Sequence, residues 1–270
     1  MYQVNFDNPI HIYFIGIGGI SMSGLAEILS EEHFTVSGSD AKESALTKHL
    51  EEMGITVFYG QTASNIIDGI DLVVYTAAIH EDNPEFAEAK RQNLPMLSRA
   101  ELLGQLMTNY ETPIAISGTH GKTTTSTLVS HLFADSGEGC SAFLGGIAKN
   151  YGSNLLTALN DVVVVEADEF DRSFLQLYPE IAVITSMDAD HLDIYGDEAH
   201  IRQAFKDFAS QVSGTVIAKY GLDITPDDTK ARIMTYSYGK PEADFYAEPL
   251  ETGHFHLHYP GGIIDDCVVG

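Results

Sequence analysis

Short apolar runs alternate with segments of helical periodicity through the first part of the chain. The runs at 11–16, 34–37, 55–59 and 72–76 predict buried strands, and the spacing of apolar residues predicts helices over 20–29, 45–53 and 84–92. Strands that alternate with helices in this way favour a parallel sheet covered by helices. The pattern therefore predicts a Rossmann-like domain over residues 1–110.

A second α/β unit is predicted to begin in the polar stretch 109–112 and to occupy residues 111–270. Its predicted strands are 113–117, 161–166, 181–185, 215–219 and 233–237, and its predicted helices are 123–134 and 199–208. The near-continuous apolar runs at 161–166 and 181–185 are typical of central parallel strands. From residue 244 the chain alternates as antiparallel strands do. We expect a P-loop mononucleotide-binding α/β domain with an antiparallel β extension.

The net charge of the chain argues against two classes of binding partner. Fourteen Lys and Arg residues against 39 Asp and Glu residues give a formal net charge of −25. Such a balance argues against nucleic-acid or anionic-membrane binding, which need a basic footprint. With only two cysteines and no apolar run near ~20 residues, we expect no disulfide framework, no transmembrane helix and a cytoplasmic location.

The strongest chemical motif is a glycine loop between a predicted strand and a predicted helix, Ser117-Gly118-Thr119-His120-Gly121-Lys122-Thr123-Thr124. Its glycines let backbone N–H groups surround phosphate oxygens at a helix N-terminus. Lys122, expected to be exposed, would contact the β- and γ-phosphates of ATP, and the Thr123 hydroxyl would reach Mg²⁺. Ile116 stands where the strict P-loop pattern has its first glycine, so this is a variant loop.

A second glycine loop, Gly16-Ile17-Gly18-Gly19-Ile20-Ser21, also joins a predicted strand to a helix. It resembles a dinucleotide fingerprint, with Ser21 in place of the third glycine. Asp40 ends the next strand, where an acidic residue meets a ribose hydroxyl. The loop is expected to bind a diphosphate, from NAD(P) or from a nucleotide sugar.

Two acidic clusters follow predicted strands of the second unit. They are Glu166-Ala167-Asp168-Glu169-Phe170-Asp171 and Asp188-Ala189-Asp190-His191-Leu192-Asp193. Ligands bind at the carboxyl edge of a parallel sheet, and carboxylate oxygens suit Mg²⁺ held with ATP phosphates. We expect two or three of these residues to act, the others being caps and turn residues.

Three histidines alternate near the end of the chain, at positions 254, 256 and 258. One strand face carrying three imidazoles could bind a transition metal. We favour an exposed strand face instead, on the expectation that no cysteine or carboxylate completes a site nearby.

Together these motifs resemble the Mur ligases, the ATP-dependent amide-forming enzymes of peptidoglycan synthesis. The matching segments are GTHGKTTT (118–125), EADEFDRSF (166–174), DADHLD (188–193), FIGIGGISMSGLA (14–26) and SGSD (37–40). They match the type that adds L-alanine to UDP-N-acetylmuramate. The resemblance implies a third, carboxy-terminal domain for the amino acid, which we expect to be absent from these 270 residues.

The resemblance also implies roles for individual residues. It implies an ATP site at Gly118, Thr119, His120, Gly121, Lys122, Thr123 and Thr124, and catalytic roles for Lys122, Glu166 and His191. Mg²⁺ would be held by Thr123, Glu166 and His191. UDP-N-acetylmuramate would be held by Gly16, Gly18, Gly19, Ile20, Ser21, Asp40, Thr76 and Asn150.

One departure from the family concerns a carbamoylated lysine that several Mur ligases carry. It stands 14 residues after the histidine that matches His191, and Phe205 occupies that position here, with Lys206 next. Metal binding would therefore depend on Glu166 and His191.

The reaction implied is attack of the lactyl carboxylate of UDP-N-acetylmuramate on ATP, followed by attack of L-alanine on the acyl phosphate. Three alternatives remain open from the sequence. They are a sister ligase that adds a peptide to the same UDP-sugar, an NAD(P)-dependent oxidoreductase, and a non-catalytic nucleotide-binding module.

Overall fold

The computed structural model describes residues 2–188, 197–251 and 253–268. The chain forms two compact units. The first comprises Met1–Glu111 and Thr127–Val164, and the second comprises Thr112–Ser126 and Val165–Gly270. The segment from Thr127 to Val164, which follows the P-loop in sequence, thus groups with the amino-terminal part of the chain.

The first unit contains a five-stranded parallel sheet. Its strands are β1 (His11–Ile15), β2 (Thr35–Asp40), β3 (Thr56–Tyr59), β4 (Leu72–Tyr75) and β5 (Met96–Ser98), in the order β3-β2-β1-β4-β5. Its helices are α1 (Ile20–Glu31), α2 (Ala45–Glu52), α3 (Pro84–Arg91) and α4 (Arg99–Met107). The predicted strand–helix alternation is confirmed, and β5 and α4 are additional elements. A three-residue strand gives too short a pattern to recognise by periodicity.

A buried carboxylate connects two strands of this sheet and the 3-10 turn Ala63–Asn65 to α3. Glu85, which is 0 % exposed in the first turn of α3, accepts hydrogen bonds from the Tyr13 hydroxyl (2.9 Å), the Ser39 hydroxyl (2.5 Å) and the Asn65 amide (2.6 Å). A helix N-terminus and three donors stabilise a carboxylate that water does not reach. Burial raises the pKa of Tyr13 well above its usual range.

The later part of the first unit adds a hairpin that the sequence did not predict. Strands β7 (Ser141–Ala148) and β8 (Ser153–Leu156) pair antiparallel, with a register shift between Phe143 and Ala148. The hairpin packs on α1, and the Asn154 side chain donates to the carbonyl of Ile20 at 2.7 Å. That bond attaches the hairpin to the first turn of α1.

The second unit is built on parallel strands around β6 (Thr112–Ser117). β9 (Val162–Ala167) lies on one side of β6, and β10 (Ile181–Ile184), β11 (Thr215–Lys219) and β12 (Arg232–Tyr238) follow on the other. Its helices are α5 (Lys122–Ser136), whose first turn belongs to this unit, and α6 (Glu198–Ser210), and a 3-10 segment spans Phe170–Gln176.

The antiparallel extension is confirmed. β13 (Phe245–Pro249), β14 (His254–Tyr259) and β15 (Gly262–Val268) are joined by antiparallel pairing, although β13 itself pairs parallel to β12. Each of the three histidines lies beside one carboxylate. His254 contacts Asp266 (2.5 Å), His256 contacts Asp265 (3.3 Å) and His258 contacts Glu248 (2.8 Å).

Both cysteines are free thiols. Among the residues described, no helix combines the length and the apolar character that crossing a membrane requires.

Candidate functional site

Gly118 occupies a position that only glycine can fill. Its φ is +134°, and a Cβ added there would lie 2.1 Å from Thr185 Oγ1 and 2.8 Å from the Ser186 amide nitrogen. Gly121 also has a positive φ, +83°, but faces open space. The loop after β6 is thus pressed against the chain that leaves β10, which is why its first glycine stands at Gly118.

Residues after β10 hold the P-loop in shape, a role that the sequence motifs did not reveal. The register pairs Ile184 with Ser117, so Thr185 and Ser186 lie beside the loop. The Ser186 hydroxyl accepts from the amide of His120 and contacts the Thr119 hydroxyl, both at 2.9 Å. Thr119 is consequently only 7 % exposed, and the amides at the start of α5 are the donors best placed for a phosphate.

The predicted proximity of Thr123 and Glu166 is confirmed. The Thr123 hydroxyl donates to Glu166 Oε1 at 2.9 Å, and the Ser126 hydroxyl lies 3.5 Å from Oε2. Thr123 stands in the first turn of α5 and Glu166 near the carboxyl end of β9. A hydroxyl and a carboxylate therefore meet at the edge of the sheet where the P-loop begins.

The expectation that Lys122 is exposed is wrong. Its side chain is 14 % exposed, and its ammonium donates to the Gly118 carbonyl at 2.9 Å and to Glu169 Oε2 at 2.6 Å. Glu169 is 1 % exposed, and Asp168 Oδ1 lies 3.9 Å from the same ammonium. A buried carboxylate retains its charge only with such a partner, so the lysine folds back toward the loop.

An irregular turn after β9 brings Glu169 under the P-loop. Asp171 and Arg172 have φ values of +50° and +56°, a strained conformation for residues other than glycine. Phe174, which is fully buried, anchors this turn by packing against Phe205 and Phe208 of α6, with ring centroids 5.2 and 5.0 Å away. The aromatic contacts offset the strain and fix the position of the acidic turn.

The oxygen ligands around Thr123 suit Mg²⁺. The Thr123 hydroxyl and the Glu166 carboxylate are hard oxygen donors, the type that Mg²⁺ prefers. His191, the third predicted ligand, lies outside the described residues. Within residues 2–188, 197–251 and 253–268, no group of three or more His, Cys, Asp or Glu side chains could hold a metal ion. The described donors therefore fit an ion that is also ligated by nucleotide phosphates and water.

Lys206, the residue next to the position of the carbamoylated lysine, is paired with two carboxylates. Its ammonium lies 3.1 Å from Asp223 and 3.4 Å from Asp228. The hydrogen bond to Asp223 raises the pKa of Lys206. Carbamoylation requires the neutral amine, so this pairing opposes it. Phe205 is fully buried against Phe174.

In the first unit, the register aligns the predicted UDP-sugar residues along one sheet edge. Ile15 pairs with Ser39 of β2 and with Tyr75 of β4, so Gly16, Asp40 and Thr76 lie at the same end of three adjacent strands. Asn150 is an exposed residue of the turn after β7. The carboxyl ends of parallel strands are the usual ligand-binding edge of such a sheet.

The amides of the glycine loop are already engaged within the unit. Those of Gly16 and Ile17 donate to the Ser39 carbonyl, both at 2.8 Å, and that of Gly18 donates to Asp40 Oδ2 at 2.9 Å. Asp40 thus holds the loop, a contact that the ribose expectation did not include. The amides of Ile20 and Ser21, in the first turn of α1, are those that a helix N-terminus offers to a phosphate.

Two models of one protein family match this chain, and each match contains one of the two glycine loops. Residues 11–111 match the model described as Mur ligase family, catalytic domain, and residues 116–266 match the Mur ligase middle domain. The chain belongs to the Mur ligase family. The second match contains the P-loop and the acidic turn, and the first contains the glycine loop of the parallel sheet.

Curated Mur ligases are similar over nearly all of the chain. The UDP-N-acetylmuramate–L-alanine ligase of Agathobacter rectalis is 49 % identical over 255 residues, which are 93 % of this chain and 55 % of that protein. The enzyme of the same name from Lachnospira eligens is 48 % identical, covering 93 % of this chain and 56 % of that protein. The chain thus spans little more than half the length of these relatives.

Two solved Mur ligase structures share the fold. The UDP-N-acetylmuramate:L-alanyl-gamma-D-glutamyl-meso-diaminopimelate ligase of Neisseria meningitides has a TM-score of 0.84 at 26 % identity, covering 95 % of this chain and 86 % of that one. The UDP-N-acetylmuramate-alanine ligase MurC of Thermotoga maritima has a TM-score of 0.80 at 27 % identity, covering 95 % and 60 %.

Proposed function

We propose that this chain provides the UDP-sugar and ATP sites of an ATP-dependent ligase that joins L-alanine to UDP-N-acetylmuramate. The observation that carries the proposal is the pairing of Thr123 with Glu166 at 2.9 Å, directly beside the P-loop lysine. A helix N-terminus, an ammonium and hard oxygen ligands at one sheet edge form a site for a Mg²⁺-bound nucleoside triphosphate. Curated relatives with 49 and 48 % identity bear the name of this activity.

The residues fit the two chemical steps. A lactyl carboxylate oxygen forms a bond to the γ-phosphorus while the bond to the β–γ bridging oxygen breaks, which releases ADP. The Lys122 ammonium and the amides at the start of α5 stabilise negative charge on the phosphoryl group as it transfers. Mg²⁺, held by Thr123 and Glu166, would neutralise further phosphate charge. The amine of L-alanine then attacks the acyl carbon, phosphate leaves and the amine loses its proton.

The first unit supplies the acceptor in this scheme. Its glycine loop and α1 would hold the UDP diphosphate, with Asp40 and Thr76 at the strand ends near uridine and ribose, and Asn150 would reach toward the muramyl group. The four loop residues Gly16 to Gly19 would pack closely against the diphosphate rather than donate hydrogen bonds to it, because their amides already donate within the protein. Both nucleotide substrates are cytoplasmic metabolites, so we place the reaction in the cytoplasm.

A sister activity, the addition of a preformed peptide to the same UDP-sugar, is the second candidate. The Neisseria structure bears the name of such an enzyme and is similar at a TM-score of 0.84. Its identity to this chain is 26 %, against 49 % for the L-alanine ligase of Agathobacter. The higher identity favours the addition of a single amino acid, L-alanine, over the addition of a peptide.

Two measurements test the proposal. In calorimetry, the 270-residue chain should bind UDP-N-acetylmuramate and not NAD⁺, and binding of NAD⁺ alone would favour an oxidoreductase. In a phosphate-release assay, a protein of the relatives' full length should respond to L-alanine and not to the tripeptide. A response to the tripeptide alone would identify the sister ligase, and no response to either would support a non-catalytic module.

For the chain itself we expect weak ATP binding and no ligation. The resemblance implies that a third domain supplies the amino-acid site and most adenine contacts. Without those contacts the affinity falls tenfold for every ~1.4 kcal/mol lost. Tight ATP binding, or phosphate release that depends on L-alanine, would show that these two units form a complete enzyme.

A further inference from the structure

The charge of the P-loop lysine is already compensated in this structure. An ammonium has three N–H donors. Two of those of Lys122 are directed into the protein, one to the Gly118 carbonyl and one to Glu169 Oε2, at 2.9 and 2.6 Å. One N–H is left for a ligand, and the positive charge it carries is paired with a buried carboxylate.

Other carboxylates make the surroundings of this pair anionic. Glu166 accepts from the hydroxyl of Thr123, the residue next to Lys122, and Asp168 Oδ1 lies 3.9 Å from the ammonium. Two carboxylates therefore lie beside the ammonium, and a third accepts from the neighbouring residue, in a chain of net charge −25. A metal-free polyphosphate approaching this loop is repelled, whereas the charge of a divalent cation compensates both the carboxylates and the phosphates.

We propose that Glu169 is a specificity-determining residue, which neutralises Lys122 so that the loop accepts Mg²⁺-complexed nucleotide and rejects metal-free polyphosphate. The inference rests on the proposed function and concerns the form of nucleotide that this site takes. Glu169 is better suited to the role than Asp168 because it is 1 % exposed, against 45 %. Solvent screens the interactions of an exposed carboxylate much more than those of a buried one.

The backbone around Glu169 is tied to the core of the second unit. The residue lies between the end of β9 and the strained turn at Asp171 and Arg172, and Phe174 anchors the far side of that turn in the core. The Arg172 amide donates back to the Glu169 carbonyl at 3.0 Å. These contacts position the backbone from which the carboxylate reaches Lys122.

The test is calorimetric titration of the 270-residue chain with ATP, in excess MgCl₂ and again in EDTA. We expect the wild-type protein to bind metal-free ATP at least about tenfold more weakly than Mg²⁺-bound ATP, which corresponds to ~1.4 kcal/mol. Glu169→Gln keeps the shape and removes the charge, so metal-free binding should strengthen about tenfold. Asp168→Asn is the matched control. The ratio of its affinities for Mg²⁺-bound and metal-free ATP should remain near that of the wild type.

A second variant separates charge from shape. Glu169→Asp retains the carboxylate, so its preference for Mg²⁺-bound ATP should persist, and this variant also serves if Glu169→Gln does not fold by circular dichroism. The proposal is overturned if the wild type binds both forms equally, if Glu169→Asp loses the preference, or if Glu169→Gln and Asp168→Asn shift the ratio alike. Failure of the wild type to bind Mg²⁺-bound ATP at all would instead contradict the proposed function.

Discussion

The hydroxyl of Thr123 and the carboxylate of Glu166, 43 residues apart in sequence, are joined by a 2.9 Å hydrogen bond. One residue lies in the first turn of the helix after the P-loop, and the other lies near the end of a neighbouring strand. Because each contributes an oxygen ligand, the contact marks the place where a metal ion bound to a nucleotide would lie.

Removing the carboxylate charge at this contact should weaken metal-dependent nucleotide binding. We expect Glu166→Gln to lower the apparent Mg²⁺ affinity, measured with ATP present, by about tenfold to a hundredfold, the loss typical of groups that support a metal site. Ser126→Ala is the control, because it removes only a hydroxyl that lies 3.5 Å from the other carboxylate oxygen and leaves the carboxylate charge in place. Equal Mg²⁺ dependence in Glu166→Gln and the wild type would contradict the assignment.

Lys122→Ala should abolish ligation in a protein of full family length, and it should also destabilise the second unit. Loss of one donor to transition-state charge typically costs ~10²–10³ in rate. The substitution leaves Glu169 buried without its ammonium, which costs about 3 kcal/mol in chemical denaturation. The double variant Lys122→Ala, Glu169→Gln should recover most of the stability and none of the activity. A fully stable Lys122→Ala would show that the ion pair is unimportant to the fold.

Gly118→Ala should distort the P-loop far more than Gly121→Ala. The first substitution places a Cβ 2.1 Å from Thr185 Oγ1, whereas the second meets open space and suffers only the strain of a positive φ, ~1 kcal/mol. We expect Gly118→Ala to lose Mg²⁺-bound ATP binding in calorimetry and Gly121→Ala to retain a folded loop with reduced affinity. Equal losses in the two variants would argue against the steric explanation.

The stability of the first unit should fall at alkaline pH because of Tyr13. Its pKa is raised by burial, and secondarily by the charge of Glu85, above the value near 10 that it has when unfolded. Unfolding above pH ~10 therefore releases a proton, and stability is full below that pH and declines above it, by up to ~1.4 kcal/mol per pH unit. Denaturant titrations from pH 9 to 11 should show a shallower decline for Tyr13→Phe. If the stability of Tyr13→Phe declines with pH as steeply as that of the wild type, ionisation of Tyr13 is not the cause of the decline.

Most of the fold follows from local sequence patterns. Apolar runs such as β1 and β6 are long enough to identify buried strands, and the glycines directly after them mark the two glycine loops. The hairpin of β7 and β8 was not predicted, because its first strand contains two glycines and pairs with an irregular register. The grouping of residues 127–164 with the first unit was equally invisible, since it depends on contacts with α1.

Local patterns of residues were enough to predict which side-chain types could act: an ammonium in a glycine loop, a hydroxyl after it, and carboxylates at strand ends. How these groups combine depends on contacts between distant parts of the chain. Because β10 pairs with β6, Ser186 lies beside the P-loop and supports it. The packing of Phe174 positions the acidic turn so that Glu169, rather than Asp168, is the close partner of Lys122. Such choices depend on burial and on distances between elements far apart in the chain, and a local pattern of residues carries no information about either.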